Sequence, residues 1–217
     1  MRFDQGHSSN THGQHGPPTP HRIWVYDFIA DPTGIPADSS ISAAVSAPST
    51  PPTAEQLETG RQLGAAIARD LVADINAMGL SAVQAGPGAV PQVGDGVIRG
   101  YLVSVVGGST AQRFVIGFGA GASELDAVVD AYAVTPQGWL KYGSGTLSSS
   151  GNKMPGMVVP AALAIATGNP IGVIVMGATK IYGEASGRNR VEGRAKATAD
   201  AIAEQLKIRF RNRGWIS

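Results

Sequence analysis

Three carboxylates crowd one short stretch of the chain: Glu124, Asp126 and Asp130. At alternate positions of an extended backbone they point to the same side. From one side they can hold a divalent cation or divide acid and base roles. The commoner fate of such a row is the wet face of a half-buried sheet, with Arg113 pairing across a hairpin as a stability device. Just upstream runs Gly117-Phe118-Gly119-Ala120-Gly121-Ala122, behind the strand-like Phe114-Val115-Ile116. Its spacing has the form of a dinucleotide-binding turn, where Gly117, Gly119 and Gly121 would let backbone approach a pyrophosphate. That turn needs a helix next and an acidic residue about twenty positions on to hold ribose. No Asp or Glu lies between Asp130 and Glu184. The alternative is a Gly-rich bend joining two strands. Gly117, Gly119, Gly121, Asp126 and Asp130 are therefore the candidate ligand-binding residues.

Other chemistries lack their groups. All four His, at positions 7, 12, 15 and 21, precede Arg22, and there is no Cys. A core without His has no proton shuttle tuned near neutrality. A chain without Cys has no disulfide, thiolate zinc site or cysteine nucleophile. No catalytic residue, metal ligand or cofactor is assigned, and a non-enzymatic protein is expected.

These residues must be positioned by a chain of 217 residues with a net charge of +1, 15% charged residues and 43% hydrophobic residues. That is below the roughly 25% charged content usual for globular domains, yet apolar enough for a real core. Residues 1–21 read as a disordered, His-rich leader, neither a signal peptide nor a membrane helix. Residues 22–217 read as one α/β domain.

Arg22–Asp31 is rich in β-branched and aromatic residues and reads as a buried strand. Residues 32–52 are Pro/Ser-rich and read as a long loop. Thr53 to Gly79 is the clearest helix: Thr53 and Gln56 have capping-box spacing, and Gly79 is a natural stop. Leu57, Gly60, Gly64, Ile67, Leu71, Ile75 and Met78 form one stripe. Its two Gly cost about 1 kcal/mol each against Ala, which a very close approach to a sheet would explain. Strands are expected at Leu80–Ala85, 97–106, 112–119 and 124–134, where alternation favours a strand over the helical stripe of Leu125, Val128, Val129 and Tyr132. Pro136–Gly138 is then a hairpin turn into Trp139–Leu147.

Met154–Thr179 carries no charged residue. Pro160, Asn169 and Pro170 divide it into two apolar pieces, each too short to span a bilayer alone. A buried helical hairpin or an oligomer contact is expected, with membrane insertion as the rival. Val158, Val159, Ile171, Val173 and Val175 are the candidate contact residues. From Glu184 to about Arg211 the pattern is helical again, with Ala195, Ala199, Ile202, Leu206 and Phe210 on its buried side. Between Glu184 and Ser217 Lys/Arg outnumber Asp/Glu eight to four. This basic end is either a patch for phosphate or acidic partners, or a solvated helix face with cations near its C-terminus. No nucleic-acid partner is expected, because specific binders carry a stronger basic excess.

The order of these segments resembles a bacterial family. WVYDFIADP, EQLETGRQLGAAIARDLVADINAMGL, GDGVIRGYLVSVVGGSTAQRFVIGFGAGASELDAVVDAY, KMPGMVVP and the Trp215-ended helix carry the likeness. Arg113–Glu124 is its most specific part. The family is domain-of-unknown-function family 4410, mostly small envelope lipoproteins, and it brings no established activity. A weaker similarity runs to curli-secretion-pore lipoprotein domains, through the YDF strand before a helix and the LD-V strand. The resemblance implies an α/β fold: a central mixed or antiparallel sheet, packed by two main helices in a three-layer domain. It also implies a periplasmic, outer-membrane-associated location, and a homo-oligomer or envelope protein partner with possible membrane contact. The family's signal peptide and lipid-bearing Cys have no counterpart in this sequence.

Overall fold

Thr53 begins the first long helix as its spacing predicts. In this computed structural model its hydroxyl accepts from the Gln56 N–H at 3.2 Å, and the Gln56 side chain accepts from the Thr53 N–H at 2.8 Å. The helix, α1, runs Ala54–Ala77, and Gly79 turns out of it at φ +89°. The structure describes residues 18–45, 51–106, 113–116, 126–147, 175–176 and 187–217.

Among the described residues seven strands form one mixed sheet: β1 Ile23–Tyr26, β2 Ala82–Ala85, β3 Gly96–Val106, β4 Arg113–Ile116, β5 Asp126–Thr135, β6 Gly138–Leu147 and β7 Val175–Met176. Their order is β2-β1-β3-β5-β6-β7, with β4 paired to β3. β1 is parallel to both β2 and β3, whereas β3, β5 and β6 are antiparallel. The ambiguous stretch is thus a strand, turned at residues 135–138 into β6. The second long helix, α2, spans Gly187–Asn212.

Both helices pack on one sheet face. Leu63, Ile67, Leu71 and Ile75 of α1 share a core with Ala195, Ala199, Ile202, Leu206 and Phe210 of α2. The sheet contributes Ile23, Val25, Ile98, Leu102, Ala127 and Val129. Over the opposite face lies a third layer made from residues 29–45, whose Ile41 packs on Tyr101, Val103 and Val128.

Three expectations change in detail. The first strand stops at Tyr26, because the Phe28 N–H donates to Gly64 O on α1 at 3.2 Å. Ile29 then rejoins β3, donating to Gly100 O at 2.8 Å. The segment 32–45 is not a free loop but a covering strap. Finally, Val175 lies in β7, paired parallel to β6, and not in a helical hairpin. Val158, Val159, Ile171 and Val173 lie outside the described residues. No described helix is long and apolar enough to cross a membrane.

Candidate functional site

Even-numbered residues of β5 face the strap, so Asp126, Val128, Asp130 and Tyr132 share that side. The expectation of a wet face is wrong. Asp130 has no exposed surface and Asp126 only 2%. The cause is the strap, which the Pro32–Gly34 turn redirects over the sheet. Asp31 caps this turn by accepting from the Thr33 N–H at 2.9 Å. Backbone bonds from Ala44 and Val45 to Ile41 O then close a tight loop that presses Ile41 down.

Three polar contacts hold the strap. The Ser40 N–H donates to Asp130 Oδ2 at 2.8 Å. Lys141 Nζ donates to Asp38 O and stands 3.3 Å from Asp130 Oδ2. The Arg99 guanidinium lies 3.7 Å from Asp38 Oδ1. Arg99 in turn sits over Trp139 at 4.3 Å, Tyr26 at 5.6 Å and Tyr132 at 5.7 Å. Cations over aromatic faces are held by the ring quadrupole, more strongly as water is excluded.

The Tyr132 hydroxyl donates to Asp130 Oδ2 at 3.3 Å. Burial, then the charge of Asp130, pushes the Tyr101 and Tyr132 phenols well above their ordinary range. Both stay protonated at neutral pH, as neutral phenols and not bases. Among the described residues, four buried polar atoms here have no hydrogen-bond partner: Asp130 Oδ1, Tyr101 Oη, Ser39 Oγ and Ser40 Oγ. The cluster is a clasp. Its carboxylate joins β5, β6 and the strap.

Of the candidate ligand residues, the structure brings Asp126 and Asp130 to one face. Gly117, Gly119 and Gly121 lie outside the described residues. Arg113 is not across from the carboxylates: it sits opposite Val106 in the β3–β4 pair, whereas β5 borders the other edge of β3. No group of three or more His, Asp or Glu suited to a metal occurs among the described residues. Sequence reasoning passed over Arg99, Tyr101, Lys141 and the strap. The signal was there in part: Val97, Arg99, Tyr101 and Val103 share one face, so Arg99 stands in an otherwise apolar row and needs a partner.

A groove of about 810 Å³ lies between the C-terminal halves of the two helices, lined by Asp74, Met78, Asp200, Glu204, Lys207 and Trp215 among others. Burial first, then the charge of Asp200, raises the Asp74 carboxyl above its ordinary value. A raised carboxyl holds its proton more tightly folded than unfolded, so its ionisation weakens the fold above that range. Asp74→Asn is therefore expected to raise the thermal midpoint at pH 7. The gain should shrink as pH falls through the carboxylate range. An equal gain at pH 7 and pH 4 would exclude this origin.

No curated protein and no solved structure gives a significant match to the chain. A family model described as a domain of unknown function (DUF4410) matches residues 23–168. That span takes in the strap, α1, the clasp and the β5–β6 hairpin. The chain belongs to this family.

Proposed function

We propose that this protein is a non-enzymatic component of the bacterial cell envelope that works by self-association. One observation carries the reading: Trp24, Tyr26 and Trp139, all half-buried, gather with Arg99 on the strap side of the sheet. Trp, Tyr and Arg are the types enriched at the energetic centres of protein contacts. The counter-charge facing Arg99 is loose, since Asp38 stands off at 3.7 Å and its side chain is 56% exposed. A partner surface can complete that pairing. The family resemblance is what supports the envelope location, by analogy alone.

Light scattering on the full chain tests this. The wild type is expected to form a defined oligomer. Trp139→Ala is expected to weaken it about 30-fold, the loss typical of a contact centre. A wild-type monomer in buffer and in mild detergent alike would overturn the proposal.

A second reading, a small-ligand domain using Asp126 and Asp130, is favoured by the unpartnered buried Asp130 Oδ1 and Tyr101 Oη. It requires a ligand-dependent rise in thermal midpoint. A flat response across nucleotides and divalent cations would remove it.

A further inference from the structure

Two arginines at the end of α2 have no counter-ion among the described residues. Arg209 and Arg213 stand one turn apart, and neither forms an ion pair among the described residues. The sequence allowed a solvated helix face here, yet both guanidiniums turn inward. Arg209 Nη2 donates to Ser144 O on β6 at 3.1 Å. A Cβ on Gly143 would stand only 3.1 Å from Arg209 Nη1, so the glycine leaves room for the guanidinium. Arg213 lies over Tyr142 at 4.8 Å and Trp215 at 5.5 Å, and its Nη1 is buried without a hydrogen-bond partner.

The turn after the helix builds this arrangement. Gly214 adopts φ +70°, and the Trp215 N–H donates back to Phe210 O at 2.8 Å. Trp215 then stacks on Phe210 at 5.3 Å and meets Tyr142 edge-on at 6.2 Å. Behind the arginines is a cavity of about 20 Å³, lined by Ile23, Ile98, Tyr142, Arg209, Arg213 and Trp215 among others. That is room for about one oxygen-sized group.

The helix dipole favours a cation in the last turn. It does not explain two half-buried guanidiniums one turn apart with no acid paired to either among the described residues. Burial, then the charge of Arg213, lowers the proton affinity of Arg209. Buried charge is costly unless paired, and paired arginines are the usual fork for a planar or tetrahedral oxyanion. We propose that Arg209 and Arg213, with Tyr142 and Trp215 as walls, bind a phosphate-type oxyanion. One oxygen enters the cavity and the rest of the ligand stays at the surface. Such a group is offered both by free phosphate and by a lipid headgroup. On β6 the neighbouring Leu140 is 61% exposed, an apolar shoulder that can lie beside an acyl chain.

The test uses the full chain in two arms. In one, the thermal midpoint is followed in sodium phosphate against sodium chloride of equal ionic strength. In the other, flotation is measured with phosphatidylcholine vesicles, with and without phosphatidylglycerol. A midpoint rise specific to phosphate identifies a soluble ligand. Flotation with phosphatidylglycerol alone identifies a headgroup. In either case Arg213→Gln should lose at least about tenfold in affinity, and Arg213→Lys should lose less. The proposal is overturned if neither arm responds, or if chloride matches phosphate and no vesicle binds. It is equally overturned if the response survives in Arg213→Gln or, should that variant not fold, is undiminished in Arg213→Lys.

Discussion

Gly64→Ala is expected to destabilise the domain by about 3 kcal/mol or more, although alanine is the better helix former by about 1 kcal/mol. At Gly64 an added Cβ would stand 2.0 Å from Phe28 O and 3.0 Å from its carbonyl carbon. These are backbone atoms just past β1, and they cannot swing aside. The same contact carries the Phe28 N–H to Gly64 O bond, so separating the elements breaks it. Phe28 is trapped from the sheet side as well, since a Cβ on Gly100 would lie 2.1 Å from its ring. Gly193→Ala on α2 is the control, because nothing lies within 4 Å of its added Cβ. That change should stabilise by up to about 1 kcal/mol. Urea midpoints of the two variants check the contrast, and a Gly64→Ala midpoint at or above wild type would refute the close approach.

Asp130→Ala should cost about 3–5 kcal/mol, as expected when one member of a buried ion pair is deleted. The loss takes the carboxylate from beside the Lys141 ammonium, which keeps only Asp38 O, and leaves the buried Ser40 N–H without its acceptor. Removing both charges should be milder than removing one. Asp130→Ala with Lys141→Met is therefore expected to recover part of the loss, which a double-mutant cycle measures directly. The strap should also loosen, so limited proteolysis within residues 32–45 should quicken in the single variant. Equal stability and equal cleavage in Asp130→Ala and wild type would mean that the carboxylate is not the clasp.

Much of the fold was legible from the residues. The Thr53–Gln56 cap, the Gly79 stop and the apolar stripes located both helices, because helical spacing is a local property of 3.6 residues per turn. Alternation across residues 126–134 and the Pro136–Gly138 turn located the β5–β6 hairpin for the same kind of reason. The two glycines on the α1 stripe pointed to a close backbone approach, and Gly64 makes one.

What alternation leaves open is which face of a strand is wet. Asp126 and Asp130 were placed on one face correctly, yet that face is covered, because Ile41 and Ser40 return to it from ninety residues away in the chain. For the same reason Arg99 and Lys141 were passed over, and the basic end that holds Arg209 could be read as a solvated face. Their partners are a strap carbonyl and carboxylate, a strand carbonyl, and aromatic faces on other elements. Local spacing follows from backbone geometry and is written in consecutive residues. Burial and charge pairing follow from contacts between distant segments, so only the tertiary structure decided that the carboxylate row is a clasp and the basic helix end a pair of guanidiniums without an acid among the described residues.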